Sequence, residues 1–180
     1  MKKLLLIVLA STCAILTATA QEKGSIHVGV GVDVGLPLGD FGEGSNVGIG
    51  ASAKGMYGLS DAGQATLTLG FLRFGMKDGS DAVSGSTTLI PVLAGYRHRF
   101  GNLYGEGQVG LTTIRNAVKV KGEGFGNLSG SYSSTHLGYG AGVGYLMDAW
   151  DIGVRFQGVS GDGGSLNLVA LRVGYNFQIK

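Results

Sequence analysis

The sequence predicts an all-β protein in which eight antiparallel strands form an up-and-down barrel. Apolar residues alternate with glycine or polar residues in eight segments, as the side chains of a strand alternate between two faces. The connections between these segments are alternately long and short. Beyond the first twenty residues, no segment shows the period of an amphipathic helix. Together, these three features indicate a single sheet built from consecutive hairpins.

The first strand is expected within Ser25–Phe41, where Ile26 and the valines occupy even positions and glycines, His27 and Asp33 occupy odd ones. A second strand is expected from Gly48 to Leu59 and a third from Gln64 to Phe71, both with their apolar residues at odd positions.

Two strands are expected in the middle of the chain. In residues 87–100, Ile90, Val92 and Tyr96 alternate with residues that include Arg97. Residues 102–114 are the least regular segment, although Leu103 and Val109 still oppose polar positions. Both segments therefore favour strands with one apolar face.

The last three strands are the most regular. Residues 137–145 alternate apolar side chains with glycine, residues 150–157 begin with Trp150, and residues 169–179 end the chain. These segments complete the eight predicted strands.

Residues 1–20 are expected to be a secretory signal peptide, which leaves 21–180 as one domain. Lys2 and Lys3 precede an apolar run, and residues 18–20 form a small-x-small cleavage site. Cys13, the single cysteine, lies in this leader, so the mature domain is expected to lack disulfides.

The predicted mature domain is poor in charge and rich in glycine. It has 12 basic and 12 acidic residues among its 160 residues. This is about 15%, below the roughly 25% that is usual in a soluble domain. This balance gives no nucleic-acid-binding signal. The chain has 35 glycines but only two prolines, and the glycines lie within the alternating segments, so disorder is not expected.

The connections indicate which end of the sheet is external. Those at 60–63, 101 and 148–149 are short, whereas those at 37–46, 77–86, 115–134 and 160–165 are longer. Tight turns at one end and longer loops at the other are typical of outer-membrane barrels, in which the longer loops are external.

Two arrangements of the faces are open: a soluble barrel with its apolar face inside, or a membrane barrel with that face outside. The glycine-rich face would make a poor solvated surface, whereas a narrow eight-stranded interior suits small residues and paired charges. The alternation therefore favours a transmembrane barrel. We expect the barrel to be closed, because an open sheet edge in hydrocarbon would leave backbone N–H and C=O groups unpaired.

Aromatic residues on the apolar face cluster at strand ends, as in the two aromatic girdles of membrane barrels. The expected girdle residues are Tyr57, Phe71, Tyr96, Phe100, Tyr139, Tyr145, Trp150, Phe156, Tyr175 and Phe177.

The chain resembles the small eight-stranded outer-membrane β-barrels of Gram-negative bacteria, the porin-family or OmpA- and OmpX-like barrels. The resemblance rests on LPLGDF at 36–41, IPVLAGYRHRF at 90–100 and LRVGYNF at 171–177. It implies a location in the bacterial outer membrane and insertion by the barrel-assembly machinery, with Tyr175 and Phe177 as the assembly signal in the last strand.

The glycine-rich face is expected to point into the lumen with its ionisable residues. One interpretation is an ion-pair network that plugs the barrel, because a buried charge needs a partner. The other is a charged gate in a narrow channel. Basic side chains outnumber acidic ones among the expected lumen residues. We therefore expect bound water and anions in the lumen, or an acidic partner from a loop, such as Asp40 or Glu43. The expected lumen residues are His27, Asp33, Lys54, Arg97, Arg99, Glu106, His136, Arg155 and Arg172.

Two further features have alternative interpretations. Arg73 lies on the apolar face near the external end, followed by Lys77, where cations could meet glycolipid phosphates or simply be solvated. Ser133, Ser134 and His136 give weak support for a catalytic site, since no carboxylate lies nearby in sequence. No cofactor or metal site is expected.

The sequence therefore predicts a non-catalytic integral outer-membrane protein with a structural or surface-interaction role. It would present residues 115–134 to an external protein or other surface ligand, contact membrane lipid and glycolipid, and act as a monomer. The alternatives are a narrow porin-like channel for small solutes and, third, a lipid-modifying enzyme.

Overall fold

A computed structural model describes residues 23–77, 83–122, 126–161 and 164–179. The predicted leader lies outside the described residues. The elements are β1 Ile26–Leu38, α1 Asp40–Gly44, β2 Gly48–Gly58, β3 Gly63–Gly75, β4 Val83–Phe100, β5 Leu103–Gly122, β6 Gly126–Met147, β7 Trp150–Gly161 and β8 Gly164–Gln178.

The strands form a closed antiparallel barrel in sequence order. Each strand pairs with the next, and β8 returns to pair with β1 from His27 opposite Gln178 to Leu38 opposite Asn167. The predicted fold class is therefore confirmed. We call the end with the short turns the inner end and the end with the long connections the outer end.

The barrel exposes its apolar side chains and buries its charged ones. On the outside, Ile49 is 69% exposed and Val143 is 66% exposed. On the inside, Arg97 and Asp151 are both 0% exposed. This inversion of a soluble protein fits a wall that faces hydrocarbon, as the period-two pattern predicts.

Strands β4, β5 and β6 extend beyond the predicted bounds at the outer end. The connection expected at 115–134 is largely a hairpin, in which pairing continues from Arg115 opposite Ser133 to Gly122 opposite Gly126. A segment with water on both faces needs no one-sided apolar pattern, so hydrogen bonding persists where the sequence signal fades.

The first outer connection contains a short helix, α1, where the sequence indicated none. It spans only five residues, too few to produce a helical period. Gly39, at its start, has a φ of 58°, a conformation that glycine adopts without steric cost. Within the described ranges, no helix is long and apolar enough to cross a membrane.

The outer half of the lumen holds an apolar cluster that the sequence analysis did not anticipate. Leu72, Phe74, Leu89, Leu168 and Ala170 are buried together, with Phe41, Ile114 and Leu166 packed against them. These side chains point inward, so the lumen is not lined only by small and polar residues.

Phe74 is accommodated by glycines on β1 and β2, Gly35 and Gly48. A Cβ atom added at Gly35 would lie 2.9 Å from Cζ of Phe74, closer than side chains approach. Phe41 of α1 packs edge-on against Phe74, with ring centroids 4.9 Å apart. The helix thus contributes an aromatic ring to the outer end of the lumen.

Candidate functional site

Arg97 of β4 lies at the centre of a buried polar network in the inner half of the lumen. Its Nη2 lies 2.9 Å from Oε2 of Glu106, which faces Arg97 directly across the β4–β5 pair. Its Nη1 lies 3.1 Å from Oδ2 of Asp151. The guanidinium also lies 3.7 Å from the ring centroid of Tyr104. Arg97 therefore contacts two carboxylates and an aromatic face.

Two further cations extend the network from these carboxylates. Nζ of Lys54 lies 2.6 Å from Oε2 of Glu106. On the other side, Nη1 of Arg172 lies 3.2 Å from Oδ2 of Asp151. Lys54 belongs to β2, Glu106 to β5, Asp151 to β7 and Arg172 to β8, so these residues join four strands across the lumen.

Ser52 connects Arg172 to a third carboxylate. Nε of Arg172 donates to Oγ of Ser52 at 3.0 Å, and this hydroxyl donates to Oδ2 of Asp33 at 2.6 Å. Three carboxylates therefore accompany Lys54, Arg97 and Arg172 in one connected chain, and their formal charges balance until Arg155, which joins through Gln108, adds a fourth cation. Such compensation is what buried ions require.

Neutral side chains complete much of the hydrogen bonding. Tyr104 donates to Oδ1 of Asp151 at 2.6 Å, and Thr66 donates to Oε1 of Glu106 at 2.9 Å. Gln108 donates to the same Glu106 oxygen at 2.8 Å and accepts from Arg155 at 3.3 Å. Each hydrogen bond that a carboxylate oxygen accepts lowers the free-energy cost of burying that carboxylate.

A small cavity lies beside this network, between Asp33, Arg155 and Arg172. It offers about 20 Å³ to a water-sized molecule, roughly the space of a single water. The cavity therefore has room for local hydration of the charged groups.

The structure places the expected lumen residues in three groups. Asp33, Lys54, Arg97, Glu106, Arg155 and Arg172 belong to the network just described. His27 and Arg99 are half-buried near the inner end. His136, near the outer end, forms a hydrogen bond of 2.9 Å with Oγ of Ser134.

Asp151 is the charged network residue that the sequence analysis missed, and the neutral Ser52, Thr66, Tyr104 and Gln108 were not predicted either. Asp151 lies between Trp150 and Ile152, both on the outward face, and strand alternation alone could have assigned it to the lumen. Asp151 supplies the acid that a loop partner was expected to provide. Asp40 and Glu43, the suggested loop acids, are exposed on α1.

The expected girdle residues all point outward, with exposed fractions between 38% and 59%. At the inner end, Trp150 lies opposite Tyr175 across the β7–β8 pair, with ring centroids 5.4 Å apart. Tyr175 also packs against Phe177 at 4.9 Å. Strand pairing continues past Phe177, since the amide of Ile179 donates to the carbonyl of Ile26.

The outer end carries a sheet that extends above the barrel wall. Strand β6 pairs with β5 from Gly126, but it pairs with β7 only from Leu137. Within the described residues, the segment from Gly126 to His136 therefore has one edge without a neighbouring strand. We call this the β6 edge.

The possible catalytic site at Ser133, Ser134 and His136 is only partly formed. His136 contacts Ser134, but in the part of the chain that is described no carboxylate is hydrogen-bonded to the imidazole. The same part contains no group of three or more His, Cys, Asp or Glu residues that could hold a metal ion.

Comparisons with solved structures support the assignment of the fold. Ail of Yersinia pestis, crystallised with the heparin analogue sucrose octasulfate, superposes with a TM-score of 0.66 at 21% identity. The N-terminal barrel of Pseudomonas aeruginosa OprF gives 0.57 at 19%, and Neisserial surface protein A gives 0.54 at 16%. Each match covers 87% of this chain and 100% of the other. No curated protein shows a significant match.

A family model supplies the sequence relationship that these distant structures cannot. The model described as the outer membrane protein beta-barrel domain matches residues 5–177, nearly the whole chain. With the closed eight-stranded barrel and its inverted surface, this match shows that the chain belongs to the outer membrane protein β-barrel family of the bacterial outer membrane.

Proposed function

We propose that this barrel is a non-catalytic surface-interaction protein, which binds extended polypeptide segments along the β6 edge and does not conduct solutes. The observation that carries the proposal is the length of this edge, which runs from Gly126 to His136 without a partner strand among the described residues. An edge of this kind offers backbone N–H and C=O groups to a strand from another protein.

The side chains of the β6 edge favour this use. The segment GNLSGSYSSTH has no proline and no Lys, Arg, Asp or Glu, which are the residues that usually protect an edge from pairing. Tyr132 is 70% exposed and offers an aromatic surface beside the backbone groups. A polar, uncharged edge suits a partner whose main chain supplies the affinity.

The lumen supports a closed rather than a conducting barrel. Three ion-paired cations cross its inner half, and the apolar cluster around Phe74 fills part of its outer half. An ion that crossed the lumen would have to pass both groups of side chains. We therefore expect only sporadic current from the purified protein in planar bilayers, whereas steady ion-selective openings would support the channel alternative.

The relatives bear on the proposal only through the fold. The complex of Ail with sucrose octasulfate shows that one barrel of this fold can hold a polyanionic sugar. We infer a surface ligand for the present chain from its own β6 edge. We also propose that the protein is a monomer and is inserted by the barrel-assembly machinery through its last strand, which contains Tyr175 and Phe177.

The β6 edge can be tested with a synthetic peptide that copies residues 111–122, which pair with β6 in the folded protein. Binding to the full chain in lipid nanodiscs should protect additional amides in 126–136 from hydrogen exchange. A peptide N-methylated at alternate residues should not bind, because it cannot form the ladder. Amides from Leu137 onward serve as the internal control, since β7 already pairs with them.

Two results would contradict the proposal. One is full protection of 126–136 in the free protein, which would mean that the edge is already covered. The other is equal binding of the methylated and unmethylated peptides. A catalytic role would be supported instead if the protein deacylated outer-membrane glycolipid and His136→Ala abolished that reaction.

A further inference from the structure

Arg73 is a charged residue on the outward surface of β3, which is otherwise apolar from Leu67 to Phe71. Leu67, Leu69 and Phe71 precede it on the same face and are about half exposed, as expected for lipid-facing residues. Two residues farther toward the outer end, the face changes from an aromatic ring to a guanidinium. On β3 this is where the apolar face ends, although Ile49 lies opposite Arg73 on β2. Cations cost little near the ends of the strands in a membrane barrel.

The strand register places a second arginine in the same row. Arg73 lies opposite Thr88 of β4, Thr88 lies opposite Arg115 of β5, and Arg115 lies opposite Ser133 of β6. Two guanidiniums and two hydroxyls therefore line up across four strands. With strands 4.7–4.9 Å apart, the backbones of the two arginines are about 10 Å apart.

A third and a fourth cation continue this surface outward. Lys119 follows Arg115 by four residues on the same face of β5, and it lies between Ser84 and Ser129. Lys77 follows Arg73 by four residues, just beyond β3. Four residues along a strand span about 13 Å. We call Arg73, Lys77, Arg115 and Lys119 the basic face, and all four are exposed.

Arg73, Arg115 and Lys119 lie among uncharged residues. In the described part of the chain, the outward positions of their rows on β3–β6 contain serine, threonine, glycine and alanine but no Asp or Glu. Lys77 differs, because its amide donates to the carbonyl of Gly44 at 3.0 Å, next to the exposed Glu43 of α1. The outward residues at the same end of β1 and β7 include Leu36, Leu38, Phe156 and Ser160, none of which is charged. A surface that needed only solubility would mix both signs of charge around the barrel.

The position and the side chains together indicate the ligand. Nη2 of Arg73 donates to Oγ of Ser86 at 3.3 Å, which keeps the guanidinium along the face. Arginine matches phosphate oxygens with paired donors, while serine and threonine hydroxyls can bond to sugar hydroxyls. The basic face follows the outward apolar residues of β3 toward the outer end, where the headgroups of a membrane barrel's lipids are expected.

We propose that the basic face binds the phosphorylated sugar headgroup of an outer-leaflet glycolipid. The arginine row meets the phosphates nearest the hydrocarbon, and the two lysines meet anionic groups farther out. This site is separate from the β6 edge, because it uses outward side chains of β3 and β5 and not the backbone of β6. The two proposals can therefore fail independently.

The test compares lipid A carrying two phosphates with the same lipid after enzymatic removal of both. The full chain in neutral-lipid nanodiscs should bind the phosphorylated form about tenfold more tightly, and added salt should weaken that binding. The double variant R73Q/R115Q should lose about tenfold in affinity for the phosphorylated lipid, and R73K/R115K should keep part of it. Lys23→Gln is the matched control, since Lys23 is exposed at the inner end.

Equal affinity for the two forms of lipid A, or unchanged binding by R73Q/R115Q, would overturn the proposal. A competition arm separates membrane lipid from soluble anions. Inorganic phosphate and a soluble sulfated disaccharide should displace lipid A only at large excess. Displacement by the disaccharide at equal concentration would assign the basic face to soluble saccharides instead.

Discussion

Arg97 and Glu106 lie directly opposite each other across the β4–β5 pair, and Glu106 Oε2 accepts hydrogen bonds from Nη2 and Nε of Arg97 at 2.9 and 3.2 Å. The same carboxylate oxygen lies 2.6 Å from Nζ of Lys54. One acid therefore compensates two buried cations. This makes Glu106 the most sensitive position for testing what the lumen network contributes.

Glu106→Gln should strongly destabilise the barrel, because it leaves Lys54 and Arg97 buried with less compensating charge. Breaking a buried ion pair costs about 3–5 kcal/mol. The free energy of unfolding can be measured by urea titration in lipid vesicles. Glu43→Gln, at an exposed position on α1, should change it by less than about 0.5 kcal/mol. Similar losses in the two variants would show that the network adds little stability.

Val30→Arg tests which face contacts lipid. Val30 is 48% exposed in the middle of β1, so an arginine there should cost about 2–4 kcal/mol in unfolding free energy. Gly44→Arg should be nearly neutral, since a Cβ at Gly44 would meet no heavy atom within 4 Å. Equal destabilisation at the two sites would be inconsistent with a lipid-facing β1.

Phe74→Ala should cost about 3–5 kcal/mol, because it leaves a cavity in the apolar cluster as well as removing buried surface. Phe71→Ala is the matched control, three residues earlier on the outward face. Lipid chains can fill the space left by Phe71, so its loss should be smaller. Unfolding in the same vesicles compares the two, and the reverse order would argue against a packed outer lumen.

Cysteine labelling tests the orientation in intact cells, since the only native cysteine lies in the predicted leader. A membrane-impermeant maleimide should label Ser129→Cys in the β5–β6 hairpin. It should not label Asp61→Cys in the short β2–β3 turn until the outer membrane is opened. Labelling of Asp61→Cys alone in intact cells would require the opposite orientation.

The alternation from Ile26 to Leu36 was enough to predict which side chains of β1 face outward. The same reasoning predicted the inward positions of Asp33, Lys54 and Arg172. It did not predict the outer lengths of β5 and β6 or helix α1, because neither feature depends on a one-sided apolar pattern. From the sequence, Arg73 was identified as an unusual cation on the apolar face but was not aligned with Arg115. That alignment depends on the register of β3, β4 and β5, which the sequence of a single strand does not give.

By itself, the sequence determined the number of strands, the face of each predicted strand that points outward and the end that carries the long connections. These follow from counting residues, because side-chain direction in a strand depends only on position along it. The tertiary structure decided the partners: Asp151 with Arg97 and Arg172, and Phe74 of β3 with Leu168 of β8. Those pairings depend on the register between strands and on closure of a narrow barrel, which bring together residues far apart in the chain.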